Sequence, residues 1–158
     1  MPIYMKIEGI DGPVTAKGHE KWFECSSFQF GVNRHITSAV GVGANREASR
    51  PNVSEITVTK LLDDSSPMLF QTVCYGQTKK IDIDFVRTDQ QKFETYMKFT
   101  LTEAIISGYS TSSGGDRPTE SLSLNFTKIE LAYTGTDAKL TAKGAARAMY
   151  NLAEGVGG

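Results

Sequence analysis

The dominant period along the chain is two. "IYMKIEG" sets Ile3, Met5 and Ile7 on one face and Tyr4, Lys6 and Glu8 on the other. "SSFQFGVN" turns Phe28, Phe30 and Val32 inward against Gln29, Gly31 and Asn33, and "KKIDIDFVR" sets Ile81, Ile83 and Phe85 against Lys80, Asp82 and Asp84. "KFETYMKFTL" places Phe93, Met97, Phe99 and Leu101 opposite Glu94, Lys98 and Thr100. Successive side chains of a strand point to opposite faces, so this pattern predicts antiparallel strands with one covered and one wet face. Further on, Leu122, Leu124 and Phe126 share one phase while Ile129, Leu131 and Tyr133 share the other. A one-residue shift exchanges the faces of a strand. Two solutions fit. A bulge near Thr127 and Lys128 corrects the register, or the two ends are covered on different faces, as in a barrel or folded-over sandwich.

One helix breaks the alternation. In "DDSSPMLFQTVCYG", Ser66 is placed as N-cap and Pro67 at the first helical position, with Asp63 and Asp64 just upstream at the positive end of the dipole. Gly76 is the expected stop. Met68, Leu69, Val73 and Phe70 are expected to pack it against a sheet, since so short a helix needs tertiary support. Two long polar segments, 33–52 and 107–121, interrupt the strands. Long excursions in a compact domain are commonly functional or disordered. Within the second, Asp116-Arg117-Pro118 supplies a turn between a strand ending near Tyr109 and one starting near Glu120. The tail "AKGAARAMYNLAEGVGG" is ambiguous between helix and strand.

Composition narrows the function classes. The 158 residues fit one domain, 1–158, large enough for a real core, and 39% apolar content suits a protein with extensive polar faces. A formal net charge of −1 gives no reason to expect nucleic acid or an anionic membrane, and no apolar run reaches the length of a membrane span. The N-terminus carries no basic segment followed by an apolar run, so no signal peptide is expected. Cys25 and Cys74 lack CxxC spacing and are read as reduced, largely buried thiols. His19 and His35 are read as surface or turn histidines. Asp63 and Asp64 are read as helix-terminal charge, and Asp82 and Asp84 as a solvated strand face. "GVGANR" lacks a phosphate-loop pattern. No catalytic, cofactor-binding or metal-ligating residue is assigned, and no cofactor is expected.

A further reading comes from resemblance. "IYMKIEGIDG", "KGHEKWFECSSFQFGV", "VSEITVTKLLDDSSPMLFQTVCYGQ" and, most specifically, "SGYSTSSGGDRPTESLSLNFTKIELAYT" together resemble the Hcp family over about residues 3–134. These are the haemolysin-coregulated proteins that form the inner tube of type VI secretion systems. The resemblance implies a mainly β fold: a small barrel of two antiparallel sheets with one flanking short α-helix. It implies hexameric rings that stack into a tube. That tube is expelled by a contractile sheath, with spike and baseplate proteins as partners and small effectors in the lumen. It implies residence in the bacterial cytoplasm before firing and export through the apparatus, without nucleic-acid binding or membrane insertion. Ser27, Gln29 and Gly31, on the uncovered face of their strand, would face the channel. Arg46, Glu47 and Arg50 on a projecting loop 33–52, and Asp116 and Arg117 on the second loop, would sit at subunit or ring boundaries. A last strand is expected near 147–153, where Met149 stands in place of the glycine that family members often carry, and the alanine-rich "GAARA" departs from the family pattern. Such a chain would not be an enzyme. The alternatives are a phage-tail-tube-like structural protein, or a monomeric ligand-binding barrel or enzyme.

Overall fold

The computed structural model describes residues 1–38, 46–48, 50–89, 92–136 and 142–157. In chain order the elements are β1 (Ile3–Ile7), β2 (Phe23–Cys25), β3 (Ser27–Gln29), β4 (Val32–Asn33), β5 (Ile36–Ser38), β6 (Arg46–Ala48), β7 (Asn52–Val53), β8 (Ile56–Leu61), α1 (Ser66–Tyr75), β9 (Lys79–Asp89), β10 (Lys92–Ser112), β11 (Thr119–Asn125), β12 (Lys128–Thr136), β13 (Ala142–Asn151) and β14 (Val156–Gly157).

Two antiparallel layers share one long strand. Sheet A runs β2-β1-β9-β10-β12-β13-β14, using the first half of β10. Sheet B runs β10-β11-β8-β3, using residues 105–112 of β10. The change of phase read between Phe126 and Ile129 is the corner between the layers. β11 pairs in sheet B, β12 pairs in sheet A, and each buries its own phase: Leu122, Leu124 and Phe126, then Ile129. On β10 the same corner is a register shift between Leu101 and Ala104, where Glu103 takes a left-handed φ of 50°. The hydrogen-bond ladder does not close on itself among the described residues. Sheets A and B meet at their other ends through the chain itself, where β2 passes into β3 and the Ser26 amide donates to the Thr59 carbonyl at 2.7 Å. The fold is therefore mainly β with antiparallel sheets and one short flanking helix, as the sequence implied, and the barrel is open at this seam.

The core lies between the layers. Met5, Ile7, Phe23, Ile56, Val58, Leu69, Ile81, Ile83, Leu101, Leu122 and Leu124 are fully buried. Departures from strict alternation have local causes. Phe93 is exposed because a register shift between Thr95 and Met97 turns the outer end of β10. Tyr4 and Asp84, expected on a wet face, are buried beneath the segment 11–22. That segment is clamped by the Gly12 amide to the Lys21 carbonyl at 2.8 Å and by Val14 to the Trp22 carbonyl at 3.0 Å. A β-carbon on Gly12 would lie 2.3 Å from the Trp22 oxygen, so the clamp needs glycine there. His19 is not a surface residue. Its Nε2 lies 2.8 Å from Asp84 Oδ2 in a buried contact, with the Tyr4 ring at 4.8 Å and the Trp22 ring edge-on at 4.7 Å.

The helix starts one residue early, with Ser65 at the cap, and ends at Gly76 in a left-handed conformation, φ 63°. Leu69 is buried and Val73 half-buried, but Met68 and Phe70 are exposed, contrary to expectation. Cys74 is likewise exposed, whereas Cys25 is buried and its thiol is pushed up to about 12 by burial. The polar segment 33–52 is not plain loop. β4 pairs with β7 and β5 with β6, forming a hairpin arm whose strands pair only with each other among the described residues. The ambiguous tail is strand: β13 pairs with β12 along its length, with Met149 opposite Glu130.

Candidate functional site

The feature that stands out is the outer face of sheet B. Residues paired across an antiparallel ladder point to the same side. Ser27, Thr59, Ser121 and Ser110 form one row across all four strands, and Gln29, Thr57, Ser123 and Gly108 form the next. A third row holds Leu61, Thr119 and Ser112. The strands of sheet B contain only two charged residues, Lys60 and Glu120, and both point into the core. The result is a four-stranded wall of hydroxyls and two amides, Gln29 and Asn125, with Leu61 at one end and no outward charge from its strands; at its margin Asn125 donates to Glu55, just before β8, at 3.4 Å. At Gly108 a β-carbon would touch the Ser123 side chain at 3.3 Å, so glycine eases the close pairing of β10 with β11 there.

Ser27, Gln29 and Gly31 are all exposed on this side, and the Gly31 amide donates to Ser54 Oγ at 2.9 Å where the arm leaves the wall. Thr57, Thr59, Ser110, Ser121 and Ser123 extend the face. The sequence carried a signal for them: "ITVTKL" and "ESLSLN" alternate apolar residues with Thr or Ser, a neutral choice of wet residue.

Beneath the wall the two charges meet. Lys60 Nζ lies 3.3 Å from Glu120 Oε1 and 3.1 Å from Asp63 Oδ2, donates to the Leu61 carbonyl at 3.0 Å, and sits 5.4 Å over the Phe23 ring. Ser66 Oγ donates to Glu120, and both the amide and hydroxyl of Ser65 donate to Asp63. The serines at the start of α1 therefore serve the carboxylates rather than the helix amides. Burial raises the Asp63 pKa. The hydrogen bonds from Ser65 and the Lys60 ammonium outweigh that and leave it below the usual carboxylate value. This network ties β8, β11 and the start of α1 into one unit.

The remaining assigned positions are not gathered in one place. Arg46 and Glu47 lie on β6, opposite Ser38 and Thr37, and their side chains are outside the described residues. Arg50 is exposed beyond β6. Asp116 is exposed in the turn between β10 and β11, where Ser113 Oγ donates to its carbonyl at 2.8 Å. Arg117 is engaged within its own chain: its Nε donates to the Leu62 carbonyl at 2.9 Å, while the Leu62 amide donates to Pro118 at 3.0 Å. The turn is thus stitched to the segment that leads into α1. Among the described residues, no group of three or more His, Cys, Asp or Glu side chains is placed to hold a metal.

Residues 4–133 match the protein family described as type VI secretion system effector, Hcp. Protein hcp1 of Pseudomonas aeruginosa is 31% identical over 85 residues, 52% of this chain and 52% of its own; the chain thus matches about half the length of that curated relative. A solved structure of a type six secretion system protein covers 99% of both chains with a TM-score of 0.90 at 24% identity. Hcp1 from Salmonella typhimurium covers 97% of this chain and 95% of its own with a TM-score of 0.76 at 23% identity. A type VI secretion system effector from Yersinia pestis covers 94% and 98% with a TM-score of 0.75 at 18% identity. At these identities the structural likeness speaks for the fold.

Proposed function

The chain belongs to the Hcp family of type VI secretion proteins, and on that premise we propose that it is a tube subunit, with sheet B as the wall of the channel. Six copies close a ring, rings stack into a tube, and the tube is driven out by a sheath with spike and baseplate proteins as its partners. The observation that carries this reading is the outer face of sheet B, whose strands turn no charged side chain outward. A wall of hydroxyls and amides can hydrogen-bond to varied small effectors without selecting strongly for their charge, and it offers no large apolar patch to trap them. Ser27, Gln29 and Gly31 would then repeat six times around the lumen, joined by Thr57, Thr59, Ser121 and Ser123. The hairpin arm, with Arg46, Glu47 and Arg50, and the turn at Asp116 and Arg117 would serve ring and subunit boundaries, where polar contacts set register more than affinity. The subunit acts by geometry and catalyses nothing. Export would use the apparatus itself, from the bacterial cytoplasm.

Light scattering coupled to size exclusion tests the premise. A hexamer is expected at micromolar concentration, with a cryo-electron-microscopy ring showing Gln29 on the inner circumference. A strictly monomeric protein with native circular dichroism, or a ring with Gln29 on its outer rim, overturns the reading.

A further inference from the structure

The wall has two edges, and each is flanked by half of a matching contact. One edge is the second half of β10, where α1 packs and the Phe70 ring stacks edge-on to Tyr109 at 6.4 Å. From Ser65 to Thr78 the chain has no charged residue, yet Met68, Phe70, Cys74 and Tyr75 face outward, with Phe70 59% exposed. Surface helices of soluble proteins ordinarily carry charge on the outer face. A face of aromatic and Met side chains without charge has the composition of an interface centre. The other edge is β3. Phe30, the residue after Gln29 and in the inward phase with Phe28, lines an open apolar crevice of about 150 Å³ with Ile129, Leu131, Ala148, Met149 and Tyr150. An apolar cavity of roughly this volume accepts a benzene ring. Charge stays off the crevice itself: Arg147, next to Ala148 in β13, turns to the outer face of sheet A and pairs there with Glu130 at 3.8 Å.

We propose that Phe70 of one copy inserts into the Phe30–Ile129–Leu131–Ala148–Met149–Tyr150 crevice of the next, making the head-to-tail contact of the ring. This rests on the tube reading and specifies which surfaces close it. The knob and the crevice lie on different parts of the same chain, so the contact is heterologous and propagates around a rotation axis rather than pairing two copies. It also brings the β10 edge of one wall beside the β3 edge of the next, so the neutral face continues around the channel. The buried Lys60, Glu120 and Asp63 network fixes the start of α1 and so presents Phe70 in a set position, which lowers the ordering cost of docking.

The test compares wild type, Phe70→Glu and Ala148→Trp by light scattering at equal micromolar concentration. Both variants alter exposed positions and should keep native circular dichroism. Each should shift the ring toward monomers, weakening association by roughly thirtyfold or more, as expected for an aromatic hot spot. Independently, Ala148→Cys should form intermolecular disulfides with the native Cys74, one helical turn from Phe70, when copper-phenanthroline is the oxidant. The product is a covalent ladder ending at the closed ring, which wild type does not give. Rings that persist in both Phe70→Glu and Ala148→Trp, or Cys74–Cys74 dimers in place of the ladder, overturn this contact and leave the ring standing. A monomeric wild type removes the tube reading and this contact with it.

Discussion

Two outer faces of one molecule are both wet, and they are wet in different ways. On sheet A, Lys6, Asp82, Thr100 and Glu130 form a row, with Lys98 and Arg147 in the row beside it. On sheet B the corresponding rows are Ser, Thr and Gln, and the only charges of its strands are turned inward and paired. Sheet A follows the usual logic, in which charge goes to solvent because burying it is costly. Sheet B inverts it. Alternation by itself reports only which residues are covered. On the proposed tube reading, the kind of polar residue on the uncovered side is what would separate a face that meets bulk water from one that lines a channel.

The largest effect should come from the inverted charges. Lys60→Met leaves the Glu120 carboxylate buried without its cation, and breaking a buried pair in this way costs about 3–5 kcal/mol. Denaturant unfolding should show a loss of that size, and the double variant Lys60→Met/Glu120→Leu should recover most of it. A loss under 1 kcal/mol in the single variant would mean the pair contributes nothing to holding α1 on sheet B.

The buried His19–Asp84 contact beneath sheet A sets the next prediction. His19→Ala leaves the buried Asp84 carboxylate with only the longer Thr95 Oγ1 contact at 3.4 Å among the described residues, where its Oδ1 already has no partner. A cost of roughly 1–3 kcal/mol is expected, with hydrogen exchange rising across residues 11–22 before the rest of the sheet. Uniform exchange would show that this segment is not held by the His19–Asp84 contact.

Acid should weaken sheet B's network in a predictable direction. The folded Asp63 pKa lies below its unfolded value, so its stabilisation is complete above that value, near pH 4, and fades as pH falls through the folded one. Melting temperature should therefore drop below about pH 4, and Asp63→Asn should flatten that acid limb while lowering stability at pH 7. An unchanged acid limb in the variant would assign the loss to other carboxylates.

The smallest effects on stability separate the two faces most cleanly. Gln29→Glu and Lys6→Gln are both exposed changes and should each shift stability by no more than about 0.5 kcal/mol. Only Gln29→Glu should alter retention of effectors in a pull-down, because it would place six like charges around the lumen. Equal behaviour of the two variants would place the neutral face elsewhere than the channel.

Much of this was legible in the chain. The strands, the helix stop at Gly76 and the corner between Phe126 and Ile129 all follow from phase and turn chemistry. What could not be read were contacts made by distant segments. His19 and Asp84 are 65 residues apart, and nothing in either neighbourhood announces that one buries the other. Lys60 and Glu120 are 60 apart, and each looks like one more charge on a strand. By sequence Phe70 reads as core, because an aromatic on a short helix usually is. Only the helix's placement, with Leu69 and Thr72 inward, shows that it faces out. The pairing around 33–52 was hidden because each of its four strands is only two or three residues long, too short to show an alternation.

The continuity of β10 has a mechanical consequence. Its 21 residues belong first to one layer and then to the other, and β11 and β12 turn the same corner beside it. The two layers are therefore not plates held by side-chain packing alone. Sliding one past the other along the barrel would have to stretch covalent backbone, and peeling them apart would have to break ladder bonds at the corner in shear rather than one at a time. On the proposed tube reading, load entering the outer layer of a tube thrust lengthwise would pass to the inner one through main chain, so the channel wall and the outer wall would travel as one piece.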